Sequence, residues 1–182
     1  MRIILGVLLI AFGIAAFGDT DSCQKQIPES LSAALKQQFP EYHPPLVTDN
    51  NPDDIKWDVE HGGSGCLGVG VADFDGDSSK DYLLDLTALS DEGFLIVVAL
   101  SHGNSWDFHT LYKSKQDRKR TYVAVAKPGK FKRTEAADGP LASGELNSMS
   151  CPNWGATFGT VESSGVVYCF TKGKWHHVWV SD

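Results

Sequence analysis

Four aspartates stand at positions 1, 3, 5 and 9 of the segment Asp73-Phe74-Asp75-Gly76-Asp77-Ser78-Ser79-Lys80-Asp81. Side chains at alternate positions of such a loop converge, and a hard cation that takes roughly six to eight oxygens satisfies them, with the backbone carbonyl of Ser79 at position 7 adding another. Without a cation, carboxylates crowded this closely repel one another. The chemistry indicated is calcium binding by Asp73, Asp75, Asp77, Ser79 and Asp81. The competing reading is an Asp-rich turn that binds nothing, because Asp is common in turns.

Such a loop needs holding at both ends. Val69–Ala72 before it and Tyr82–Leu86 after it are short β-forming runs, so the acids are expected between two strands. Val71-Ala72-Asp73-Phe74-Asp75-Gly76-Asp77 with Asp81-Tyr82 resembles the calcium loop of FG-GAP and VCBS repeats, the integrin-propeller type, which carry D-x-[DN]-G-D-G-x-x-D between strands. The resemblance covers about fifteen residues and implies a calcium loop in a local β-unit. Ser78 stands where the repeat has its second glycine, which raises the cost of the turn, since glycine tolerates positive φ and serine does not. Leu84 at position 12 is no bidentate acid, which argues against a helix–loop–helix site. The motif occurs once and no repeat of 20 to 50 residues is present, so a propeller is not expected. The ending Trp175-His176-His177-Val178-Trp179-Val180-Ser181-Asp182 is similar to that of small exported bacterial proteins with one such loop, a resemblance that implies no activity.

The elements around the loop follow from periodicity. Ile27, Leu31, Leu35 and Phe39 recur every four residues, which predicts one amphipathic helix with Pro28 in its first turn and Pro40 as its stop. Tyr42 to Asp58, rich in Pro, Asn and Asp, reads as a loop. From Cys66 onward, Leu67–Ala72, Tyr82–Leu86, Phe94–Leu100, Phe108–Tyr112, Tyr122–Ala126, Thr157–Val161, Val166–Phe170 and Trp175–Val180 alternate with turn signals. A type II turn is expected at Lys127-Pro128-Gly129-Lys130 and a hairpin at Ser163-Ser164-Gly165. The fold class is mostly β (α+β): an antiparallel sheet domain with one helix and one acidic loop.

Met1-Arg2 followed by the apolar run Ile3 to Phe17 has the pattern of a secretory signal peptide, cleaved after Gly18 where Ala16 and Gly18 supply small residues. Fifteen residues fall short of the roughly 20 needed to span a bilayer, and Thr20-Asp21-Ser22 before Cys23 does not suit lipid attachment. Residues 19–182 then form a single domain, periplasmic or secreted, with a net charge of −8, from fifteen cations against twenty-three acids. That balance disfavours generic nucleic-acid binding. Four cysteines in an exported chain suggest two disulfides; three pairings are open, and the short stretch from Cys151 to Cys169 favours Cys151–Cys169 with Cys23–Cys66.

Lys113 to Arg133 carries nine cations against Asp117, while the rest of the mature chain has six against twenty-two acids. Lys115, Arg118, Lys119, Arg120, Lys132 and Arg133 are therefore candidates for meeting an acidic partner, set against the plainer reading of a solvated, charge-protected sheet edge. His176 and His177, adjacent on a strand, point to opposite faces. His61, His102 and His109 lack partners at a recognisable spacing, and Gly62-Gly63-Ser64-Gly65-Cys66 has cysteine where a nucleophile elbow needs glycine. No catalytic residue is assigned. The expected function is a non-enzymatic, calcium-binding module for another protein, such as an inhibitor or immunity protein of an exported enzyme. Two alternatives are a calcium-dependent envelope hydrolase using His61 or His102, and a carbohydrate-binding module using Trp57, Trp106, Trp154, Trp175 and Trp179.

Overall fold

The computed structural model describes residues 21–90, 93–116, 118–137 and 139–181. The proposed signal peptide and Asp117 lie outside the described residues.

Two antiparallel sheets carry the chain. The first joins β1 (Tyr42–His43), β2 (Val69–Ala72), β3 (Asp81–Ala88), β4 (Phe94–His102) and β5 (Ser105–Ser114), in the order β1-β3-β4-β5 with β2 also on β3. The second runs β11 (Lys174–Ser181), β10 (Gly165–Thr171), β9 (Gly155–Thr160), β6 (Thr121–Ala126). A two-stranded ribbon pairs β7 (Gly129–Lys132) with β8 (Ser148–Cys151). All eight expected strands are present, and β1, β7 and β8 add to them.

Burial explains the continuous apolar reading of β3 and β4. Leu84, Leu86, Leu95, Val97 and Ala99 face one cluster, while Leu83, Phe94, Ile96, Val98 and Leu100 face another, so both sides of these strands are covered. The first cluster is roofed by α1 (Glu29–Gln38), whose Leu31 and Leu35 are buried. Each contributes about 1.5–3 kcal/mol. Pro28 caps the helix from outside, and the Phe39 amide closes it on Leu35 O at 2.8 Å, before Pro40 forbids another turn. The second cluster lies between the sheets and takes Val123, Ala156, Phe158, Val166 and Tyr168 from the second.

Two local expectations are corrected. The segment read as a loop contains α2 (Pro52–Glu60): the Asn51 side chain accepts the Asp53 amide, proline takes the first helical position, and Asp53 and Asp54 suit the positive end of the helix dipole. Gly129 is not among the positive-φ glycines, so Pro128-Gly129 makes no type II turn; the chain leaves the second sheet there to start the ribbon. The hairpin at 161–164 is present and joins β9 to β10.

Both disulfides, Cys23–Cys66 and Cys151–Cys169, join cysteines whose Cα atoms are 5.0 and 5.4 Å apart. No helix among the described residues is long and apolar enough to cross a membrane.

Candidate metal centre

The acidic loop closes the hairpin between β2 and β3, whose last pair is Ala72 opposite Asp81. Its anchor is Phe74. That ring is fully buried in the cluster between the sheets and meets Trp175 edge-on at 6.4 Å, so the aspartates on either side are turned away from the core. At the tip, Gly76 has φ +86°, and a Cβ there would meet the Asn153 side chain at 2.7 Å; only glycine fits both demands. Ser78 also stands at positive φ, +71°, so the serine occupies the conformation that glycine would hold without strain.

The carboxylates are held by the loop's own amides. Asp73 accepts from Gly76 N at 2.7 Å through one oxygen and from Ser78 N at 3.0 Å through the other. Asp75 accepts from Asp77 N at 3.1 Å, and Asp77 from Ser79 N at 2.6 Å. Asp81, the first residue of β3, is fully buried. Its oxygens accept from Phe74 N at 2.8 Å and from Ser101 N on β4 at 2.9 Å, which ties the loop to the neighbouring strand. Burial raises the Asp81 pKa and the charges of Asp75 and Asp77 raise it further, against the lowering by the two amides. A cation beside these groups would favour the ionised form and so oppose both upward effects.

Oxygens of Asp73, Asp75 and Asp81 lie within 4.8 Å of one another. A second group, with ligand atoms equally close, is Asp75, Asp77 and His102. The four predicted aspartates thus divide into two overlapping sets that share Asp75. Ser79 is placed by its amide on Asp77. His102, which only the hydrolase alternative sets beside the loop, stands at the end of β4 and is brought there by the pairing of β3 with β4. An acidic cluster of this geometry can hold a metal ion.

The six cations proposed for a partner do not form one surface. Arg118 is 4 % exposed and corrects that expectation: it is an interior cation, 2.7 Å from Asp49 and 3.1 Å from Asp85. It also donates to Thr87 at 2.8 Å and to Asn50 at 3.1 Å. Arg133 is half-buried with its Nε 2.7 Å from Glu145. Lys115, Lys119 and Arg120 are exposed on the β5–β6 connection, and Lys132 is exposed on β7.

The other candidates are dispersed. His61 stacks on Trp57, His109 lies beside Asp107 and the ring of Phe170, and His177 stacks on Tyr168. Trp154, Trp175 and Trp179 pack on the cluster between the sheets and Trp106 on the other, while Trp57 is 62 % exposed. No protein-family model matches the chain, no curated protein matches it, and no solved structure matches it.

Proposed function

We propose that the chain is an exported, calcium-braced protein that acts by holding another macromolecule, an inhibitor or immunity protein being one form. The observation that carries the ion is the convergence of Asp73, Asp75 and Asp81 within 4.8 Å on a hairpin fixed by the buried Phe74. Calcium suits these ligands because it accepts carboxylates in a flexible shell of variable number, whereas magnesium demands a tight octahedron. Asp77 and the Ser79 carbonyl would complete the set. The two disulfides support an oxidising compartment.

The test is calorimetry and thermal unfolding of oxidised, chelator-treated protein. Calcium should bind and raise the midpoint, by mass action worth about 2.7 kcal/mol at a hundredfold excess over the dissociation constant. Asp75→Ala should remove the response and Glu29→Ala, on α1, should keep it. No binding at millimolar calcium would make the loop an acidic turn. Affinity capture from the native envelope, with mass spectrometry, tests the partner.

His102 supports a second reading. An imidazole with two carboxylates suits a transition metal, and a metal with open positions can activate water for hydrolysis. Turnover of cell-wall, lipid or peptide substrates with zinc or manganese, lost in His102→Ala while the calcium response persists, would establish it.

A further inference from the structure

Away from the acidic loop, a groove of about 790 Å³ runs between α2 and the outer side of β6. Its volume is that of a ligand site rather than a packing defect. Helix α2 contributes Asp53, Asp54, Trp57 and Asp58, and the second sheet contributes Tyr122 and, from the β9–β10 turn, Glu162.

Two features define what it can hold. The first is an aromatic platform. The Trp57 indole is stacked at 4.1 Å and 22° on the His61 imidazole, whose Nδ1 is 2.7 Å from the Trp57 carbonyl oxygen, and yet Trp57 is 62 % exposed. One ring face is thus braced and the residue still meets solvent. The second is surplus negative charge. Four carboxylates line the groove against one cation, Arg120, which lies 3.2 Å from Glu162 and 4.0 Å from Asp54. That Asp54 oxygen, Oδ2, has the Arg120 guanidinium 4.0 Å away but accepts no hydrogen bond among the described residues.

We infer that this groove binds guanidinium-bearing side chains of a basic polypeptide segment. The inference gives a ligand chemistry to the binding module proposed above and rests on that reading. A guanidinium is planar, stacks on an indole face and donates in a fork that carboxylates accept bidentately. Arg120 makes one such contact from within the chain, donating a single bond to Glu162 at 3.2 Å. An anionic ligand would meet three uncompensated charges, and a neutral one would leave the carboxylates without a cation.

The test uses the oxidised, calcium-supplied full chain and an acetylated, amidated pentapeptide with three arginines, with its citrulline counterpart as the neutral isostere. Calorimetry should show the arginine peptide binding about tenfold more tightly than the citrulline one. Trp57→Ala should weaken it about fivefold. Asp53→Asn with Glu162→Gln should weaken it about five- to tenfold. Glu41→Gln, an exposed acid outside the groove, should leave it within about twofold. Equal binding of both peptides, or equal loss on Glu41→Gln, would overturn the inference, as would no binding. The calcium response, measured on the same samples, separates failure of the groove from failure of the ion site.

Discussion

The Arg118 guanidinium lies 3.1 Å from Asp85 Oδ2, in an interior where the Arg118 side chain is 4 % exposed and that of Asp85 not at all. Asp85 is on β3, Asp49 in the turn before α2, and Thr121, which donates to Asp85 at 2.6 Å, begins β6. One cation therefore joins the first sheet, the segment ahead of α2 and the start of the second sheet.

Arg118→Met should destabilise the protein by about 3–5 kcal/mol, because the buried Asp85 and the partly buried Asp49 lose their counter-charge. Urea unfolding followed by tryptophan fluorescence measures it. An effect under 1 kcal/mol would mean that water reaches the pair.

Burial raises the Asp85 carboxyl from 3.8 to about 6, even with Arg118 beside it. The folded state then holds the proton more tightly than the unfolded one. Its contribution to stability is complete below the unfolded value of 3.8 and disappears as pH rises through about 6. Asp85→Asn should flatten the pH dependence of the urea midpoint across that window. An unchanged slope would assign the dependence to other groups.

Ser78→Gly should stabilise the protein by about 0.5–1 kcal/mol, the relief of a left-handed serine less the entropy that glycine adds to the unfolded chain. Gly76→Ala should do the reverse, since the added Cβ meets both a positive φ and Asn153. Thermal midpoints with and without calcium would show whether either change alters a calcium response.

Removing the Cys23–Cys66 bridge should cost about 4 kcal/mol and removing Cys151–Cys169 about 3, because the first closes a separation of 43 residues and the second one of 18. Paired serine substitutions, compared by denaturant midpoint, test the order. The reverse order would point to unfolded-state structure around the C-terminal pair.

How much of this was legible depends on the distance over which each feature is determined. The eight strand runs, α1 and the acidic hairpin rest on neighbouring residues, and periodicity reveals them. Helix α2 also had local signals in Asn51-Pro52-Asp53-Asp54, but its abundance of loop-forming residue types hid them. The division into two sheets was not legible, because β6 and β7 look like the arms of a hairpin until their partners, β9 and β8, are known. Arg118 sits among surface-type cations in sequence, and its burial depends on Asp49 and Asp85, which only the fold brings near. His102 reached the acidic loop the same way, through strand pairing.

The two sheets are consecutive in the chain: β1 to β5 are complete by Ser114, and β6 opens the second at Thr121. Each disulfide also lies wholly on one side of that boundary. A chain emerging amino end first can therefore finish its first sheet and close Cys23–Cys66 while the remainder is still unfolded. Until β9 and β10 arrive, that half-built molecule presents Leu83, Phe94, Ile96, Val98 and Leu100 to water as one apolar face. The interval between the two halves is when such a nascent chain is most in need of a chaperone.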